Sequence, residues 1–275
     1  MKIPHRSSIL RLVLISAFAV ISFCVYSQAE DLIIELDKSK EFGYLRFDNP
    51  KGSVNINGYE GNMIIVTGTP RFEDKSNLQQ SSFRKISQPR FSISAEEKEN
   101  NVLLICESYG NTIDFDIKVP VMMSLKIKCL DYGDVSIYGI NGEIEIDNKY
   151  GNIFAGNIAG SSVINTSYGN IKVIFKALNH EKPSMFSSFD GDIEVVFPDD
   201  GRANLKIRSP RGDILSQVNL KIVERKANLQ SGQDIRKYTL ENWTRGTLNG
   251  GGTEIIMSSY SGDIILKYKK DVTFR

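Results

Sequence analysis

A carboxylate or an amide stands directly after a glycine at Asp134, Asn152, Asn170, Asp192, Asp213 and Asp263. If the segments that carry them lie over one another, these side chains form one column of oxygen donors, a set that Ca²⁺ accepts. The calcium-binding nonapeptide pattern, Gly-Gly-x-Gly-x-Asp, places its carboxylate two positions beyond the last glycine, and no such unit occurs in the chain. The column is therefore read as turn capping, with each Asp or Asn oxygen accepting a backbone N–H. Tyr132, Tyr150 and Tyr168 form a second series, each directly before a glycine and 18 residues from the next. Stacked, they make a ladder that either packs corners or offers ring faces to a glycan, with Tyr109 and Tyr138 near enough to widen it. Arg211-Gly212-Asp213 spells the tripeptide that integrins read, but the glycine–acid series already accounts for two of its three residues.

Signs of catalysis are sparse. The two histidines are His5 and His180, and His180 lies in the polar turn His180-Glu181-Lys182-Pro183, where a solvated imidazole is the expectation. Gly-x-Ser-x-Gly, His-Glu-x-x-His and Cys-x-x-Cys are absent. The run Gly250 to Gly252 lacks the Lys-Ser/Thr ending that cradles phosphate and reads as a turn before a strand. A polysaccharide lyase or hydrolase would need Asp, Glu, Arg or Lys converging in a cleft, and no motif marks such a cluster. No catalytic residue, metal ligand or cofactor is assigned. Lys plus Arg number 34 against 33 Asp plus Glu, a net charge of +1, so no global field draws in nucleic acid. At 275 residues and 41% apolar content the chain can build a substantial core.

The amino terminus reads as an address. Lys2, His5, Arg6 and Arg11 precede the apolar run Leu12 to Val25, and Ser27-Gln28-Ala29 supplies small residues where a signal peptidase cuts. The run is too short for the roughly 20 residues of a spanning helix, so residues 1–29 are expected to be a cleaved secretory signal rather than an anchor. Lipid attachment at Cys24 is the lesser alternative, because bulky Phe23 precedes it. No later stretch is long and apolar enough to span a bilayer as a helix, so the exported chain has no expected transmembrane segment. Its place is then the periplasm, the outer envelope or the exterior. Cys106 and Cys129 remain after cleavage, and an oxidising compartment permits one disulfide between them; two buried free thiols are the alternative.

The elements that must position these residues are announced by a repeat. Glycines fall at 133, 142, 151, 160 and 169, nine residues apart, and Gly43, Gly52 and Gly61 keep the same step. Gly191, Gly212 and Gly262 follow at steps of 22, 21 and 50 residues. After the glycines apolar residues alternate, as in Val135/Ile137, Ile144/Ile146, Ile171/Val173 and Ile264/Leu266, which is the period of a half-buried strand. Nine residues make a strand of about five plus a tight turn, with glycine supplying positive φ. Because the tyrosine recurs at every second corner, the unit is a coil of two strands. Polar segments near 72–90 and 224–250 lack the rhythm and read as insertions.

Ile117-Lys118-Val119-Pro120, Gly133-Asp134-Val135, Gly142-Glu143-Ile144, Phe197-Pro198 after a Gly-Asp-Ile strand, and Gly250-Gly251-Gly252-Thr253-Glu254-Ile255 before Gly262-Asp263-Ile264 together resemble the bacterial putative-adhesin family of β-strand repeat proteins. The resemblance covers roughly residues 30 to 270, although the family's usual Asn-Gly-Asp-Ile word is here Tyr-Gly in three copies and Arg-Gly in one. It implies an exported β-solenoid of unassigned function and carries over no catalytic residues.

The expectation is an all-β, single-stranded β-solenoid over residues 30–275, parallel β-helix-like, with short coils of about two strands each. Its function is expected to be that of an exported noncatalytic scaffold or adhesin-like module that binds a protein or glycan of the cell envelope. A polysaccharide-processing enzyme and a self-assembling structural protein are the alternatives.

Overall fold

The computed structural model describes residues 31–37, 43–71, 91–108, 110–223, 228–231, 236–239 and 242–271. The expected signal segment, the expected insertion at 72–90 and Tyr109 lie outside them. Alternating apolar residues extend the first part of the chain into β1 (Leu32–Glu35), β2 (Tyr44–Asn49), β3 (Val54–Tyr59), β4 (Met63–Pro70), β5 (Ser92–Lys98), β6 (Asn101–Glu107) and β7 (Ile113–Pro120). The nine-residue rhythm yields β8 (Ser124–Cys129), β9 (Val135–Tyr138), β10 (Ile144–Tyr150), β11 (Ile153–Ile158), β12 (Ser162–Tyr168) and β13 (Ile171–Phe175). Then come β14 (Ser184–Asp190), β15 (Ile193–Phe197), β16 (Ala203–Arg208), β17 (Ile214–Ser216) and β18 (Leu220–Val223). The last are β19 (Asn228–Ser231), β20 (Arg236–Thr239), β21 (Thr244–Leu248), β22 (Thr253–Ser261) and β23 (Ile264–Tyr268).

Two large sheets face each other. One runs β1-β4-β7-β3-β9-β11-β13-β15-β23-β17, the other β18-β21-β16-β22-β14-β12-β10-β8-β2-β6-β5; β19 and β20 form a separate antiparallel pair. From β8 to β15 the chain changes sheet at every corner and each strand lies parallel on its equivalent one repeat away, Ile144 opposite Ser162 and Ile153 opposite Ile171. The product is all-β and β-solenoid-like. Its core is the inward set, including Ile137, Ile146, Ala155, Ile164, Val173 and Phe186, all fully buried. At about 25 cal/mol per Å² of apolar surface removed from water, this shared interior is the main stabilising contribution.

The order of coils departs from the order of the sequence at both ends. The pair β2–β3 sits between β6–β7 and β8–β9, and the pair β22–β23 sits between β14–β15 and β16–β17. The sequence places Gly212 next to Gly191, whereas the structure inserts Gly262 between them: a β-carbon on Gly262 would meet the Gly191 carbonyl at 2.3 Å, and one on Gly212 the Gly262 carbonyl at 2.2 Å. Three copies of one Gly-Asp-Ile word fit the same neighbours equally well, so local pattern cannot rank them. Both ends also depart from parallel pairing. β4, β1 and β5 add antiparallel at one end, and β21 and β18 at the other, so the segment expected as a rhythmless insertion at 224–250 contains a strand of the main sheet.

Cys106 and Cys129 are free thiols. β2 lies between their strands, and two strand spacings of about 4.8 Å exceed the roughly 7 Å that a disulfide can reach between α-carbons. The bridge weighed from the sequence is therefore not formed. Burial pushes the Cys129 thiol up to about 12, while burial and then the Glu107 charge push Cys106 up to about 11, so both stay protonated at neutral pH.

Positive φ explains only part of the glycine pattern. Gly151 and Gly169 have φ of 135° and 155°, but Gly133 does not adopt a left-handed conformation; a β-carbon there would lie 2.0 Å from the Gly52 carbonyl oxygen. Close approach of stacked backbones is the shared requirement. Gly133→Ala should therefore destabilise the protein by about 2–4 kcal/mol in urea unfolding, as overpacking against backbone does. Gly110→Ala, where φ is 81° but nothing lies within 4 Å, should lose only about 1–2 kcal/mol. Equal losses would show that room is not the governing factor.

Candidate functional site

The residues singled out from the sequence converge on the corners that join the two sheets. At the first corner of each repeat five of the six Asp and Asn side chains accept a backbone amide, as expected, but from the neighbouring coil and not from their own turn. Asn152 N–H donates to Asp134 Oδ1 at 2.8 Å, Asn170 N–H to Asn152 Oδ1 at 2.9 Å, and Asp192 N–H to Asn170 Oδ1 at 2.8 Å. The series continues through Asp263 N–H to Asp192 Oδ1 at 2.7 Å and Asp213 N–H to Asp263 Oδ1 at 2.8 Å. Asp114 and Ser53 extend it in the other direction: Ser53 N–H donates to Asp114 Oδ1 at 2.8 Å, and Asp134 N–H to Ser53 Oγ at 3.1 Å. One oxygen of each of these side chains is thus committed to a backbone amide. Among the described residues no three His, Cys, Asp or Glu side chains come together as a metal-binding group.

A second, buried ladder runs behind the first. Asn148 Nδ2 donates to the Gly133 carbonyl at 3.0 Å, Thr166 Oγ1 to Gly151 at 3.2 Å, Ser188 Oγ to Gly169 at 3.0 Å, and Ser259 Oγ to Gly191 at 2.8 Å. Ser209 Oγ serves Gly262 at 2.7 Å. Cys129 fills the equivalent position in its coil, opposite both Asn49 and Asn148, and a thiol is a weak donor; Asn49 turns back instead to the Gly52 carbonyl of its own coil at 2.7 Å. This ladder was overlooked in the sequence, although a signal was there: a small polar residue stands three positions before Gly52, Gly151, Gly169, Gly191, Gly212 and Gly262.

The tyrosine ladder forms and is longer than its spacing foretold. Tyr132 and Tyr150 stack with ring centres 5.0 Å apart and 20° between planes, and Tyr150 and Tyr168 at 5.4 Å and 9°. Phe189 meets Tyr168 edge-on at 6.1 Å, Tyr260 stacks on Phe189 at 5.0 Å, and the Arg211 guanidinium lies 4.8 Å over Tyr260. Phe189 and Tyr260 escaped the sequence reading because each stands two residues before its glycine instead of one. The stacking decides between packing and sugar binding for this file. Tyr150 spends both faces on its neighbours, so the stacked stretch from Tyr132 to Tyr168 favours packing over sugar binding. The edge-on contact of Tyr168 with Phe189 does not use a face of both rings. Tyr132, at the open end and 65% exposed, keeps an outer face. Ser53, Arg71, Asp134 and the three tyrosines line a shallow cleft of about 450 Å³ beside it. Arg71 is tied there by its Nε to Asp114 Oδ2 at 2.5 Å, which raises its pKa.

The remaining sequence candidates are scattered. Tyr138 is on β9, at the end away from Gly133, where Gly156 lies against its ring and that of Phe154. His180 is exposed in a turn whose Glu181 and Lys182 amides bond to Asn179 Oδ1. Arg211-Gly212-Asp213 is built into a corner, its arginine resting on Tyr260 and its aspartate amide bonded to Asp263. Gly142 and Gly160 mark the opposite corner, where a β-carbon would strike Met123 O at 2.3 Å and Gly142 O at 1.9 Å. On the outer face of the first sheet Glu194 reaches Lys172 and Lys267, each at 3.1 Å. Burial pushes its carboxyl up, but the two lysines together outweigh this and hold it below the usual glutamate range.

The family model described as Toastrack DUF4097 matches residues 25–238. None of the curated proteins compared with the chain matches it. Among solved structures, a putative cell adhesion protein from Clostridium sporogenes is 14% identical, with a TM-score of 0.43 over 87% of this chain and 99% of its own. A putative adhesin from Bacteroides fragilis is 10% identical, with a TM-score of 0.33 over 87% of this chain and 96% of its own.

Thr166→Val keeps the shape of the side chain and removes its donor, leaving the Gly151 carbonyl short of one partner; chemical denaturation should register a loss of about 1–3 kcal/mol. Unchanged stability would discount the inner ladder. For Glu194 the folded pKa is depressed, so its stabilising contribution is present above the ordinary glutamate pKa and fades as pH falls through the folded value. Stability of Glu194→Gln should consequently fall less steeply than that of the parent below about pH 4.3. Parallel curves would remove the carboxylate from the acid response.

Proposed function

Because the chain belongs to the Toastrack DUF4097 family, we propose that it is an exported, noncatalytic β-repeat module of the cell envelope, a solenoid of two-strand coils that presents a sheet face to a protein or glycan. The observation that carries this reading is register. Six successive coils repeat one corner, Asp134 through Asp213, and the outward positions on the strands between fall in register with it. Such an array suits a ligand that itself repeats, because weak contacts at each coil add along the stack.

The chemistry of the titrating groups agrees with a binding role. Hydrogen bonds from Arg71 to Asp114 and from Lys126 to Glu145 raise the pKa of both cations, so they hold their protons more firmly. Two lysines hold Glu194 ionised, and burial keeps both thiols protonated. Each shift stabilises a resting state instead of poising a group for proton transfer near neutral pH. Self-assembly is a second reading, favoured by β17 and β18, the outermost of the described strands at that end, which carry exposed Leu215, Ile222 and Val223.

The test is affinity capture from solubilised envelope with the purified protein, scoring proteins and glycans together, alongside sedimentation over a range of concentrations. A saturable ligand recovered at unchanged length supports the binding module. Shortening of a bound polysaccharide would indicate an enzyme, a concentration-dependent ladder of sizes would indicate assembly, and recovery no greater than with unfolded protein would count against the module.

A further inference from the structure

The outer face of the second sheet changes character along the stack. Over β2, β8 and β10 it is densely charged and neutralised locally, with Arg46 on Asp48 at 3.0 Å and Lys126 on Glu145 at 2.7 Å. Over β12, β14 and β22 the charges thin out to Glu254 at the start of β22, and three files lie in register beyond it. Val163, Met185 and Ile256 form an aliphatic file, and Asn165, Ser187 and Ser258 a polar one; Phe189 and Tyr260 continue the aromatic ladder along the third side. Among the described residues the side chains of Asn165, Ser187 and Ser258 have no hydrogen-bond partner, and they point outward from half-buried positions.

Each file runs onto a cation. Lys206 is opposite Ile256, Arg208 is opposite Ser258, and Arg211 covers Tyr260. Among the described residues none of the three has a carboxylate within ion-pair distance. Lys206 and Arg208 are held instead against Trp243, at 4.5 Å and 5.1 Å from its ring centre. Aromatic support fixes a cation without neutralising it, so these three charges are held in place with no carboxylate on them among the described residues.

We propose that this face, from β12 to β16, binds an acidic polysaccharide, a reading that rests on the binding module above and names its ligand class. Open hydroxyls and an amide in the middle file both donate and accept, as sugar hydroxyls require. The aliphatic file gives the less polar side of a sugar ring something to cover, and the cationic margin takes the acid groups. An acidic peptide fits less well. β14 and β22 are paired on both sides, so no strand edge is offered for peptide backbone to join.

The experiment measures binding of the full chain to polygalacturonate at low salt by calorimetry, with neutral dextran, poly-glutamate and phosphatidylglycerol vesicles as the other arms. Polygalacturonate should bind, weaken with added salt, and bind about tenfold or more weakly to the K206Q/R208Q/R211Q variant. S187V/S258V, which leaves every charge in place, should weaken it as well. K126Q/K128Q, on the same face in the neutralised half, should not. The inference is overturned if polygalacturonate fails to bind, if the triple variant binds it equally well, or if poly-glutamate or the vesicles bind as tightly. Envelope capture with the triple variant separates the two readings: undiminished recovery leaves the module standing and removes this face from it.

Discussion

Everything in this molecule depends on how closely two backbones can pass at a corner. Parallel strands lie about 4.8 Å apart, and the chain turns from one sheet to the other without widening that gap. The space is taken by a carbonyl oxygen, which is why Gly133, Gly151, Gly169, Gly191, Gly262 and Gly212 carry no β-carbon: one added to any of them would sit within 2.3 Å of the oxygen beneath. Once the corners are so close, their polar groups must be satisfied within the stack. The outer ladder supplies acceptors for amide hydrogens and the inner ladder supplies donors for glycine carbonyls, so one geometric constraint dictates two columns of side-chain chemistry.

That constraint also explains what the sequence could and could not convey. Glycine spacing, alternating apolar residues and the 18-residue tyrosine period are local signals, and they led to the all-β, solenoid-like repeat and to the column of Asp and Asn. Phe189 and Tyr260 were missed because the ladder shifts by one residue at the coil that follows Tyr168. The inner ladder was missed because its members are Asn, Thr or Ser, a variety that no single residue type announces. Coil order was not legible at all. Gly191-Asp192-Ile193, Gly212-Asp213-Ile214 and Gly262-Asp263-Ile264 are interchangeable as neighbours, and only the packing of the whole end, including the antiparallel β21 beyond β16, decides which goes between which.

The aromatic file shows how a repeated array can mislead when function is inferred from residue type. Exposed tyrosines at regular spacing suggest a sugar platform, yet stacking at 5.0 to 5.4 Å consumes the faces that such a platform would use. The ladder is better understood as a brace along the corner, giving the adjoining sheet face a stiff margin. The proposed ligand surface lies beside the aromatic file, where the middle outward residues Asn165, Ser187 and Ser258 are small, neutral and without a hydrogen-bond partner among the described residues.

The interleaving of the terminal pairs has a consequence for the order in which segments can be seated as the chain emerges into the compartment where it folds. When β16 and β17 have emerged, the pair that will separate them from β14 and β15 has not yet been made, so a permanent slot has to stay open or be reopened for it. At the other end, β2 and β3 emerge first and wait for β6 and β7 to close over them. The fold is thus latched by its last-made segment, and a chain cut short before β22 lacks the piece that seats its own final turns.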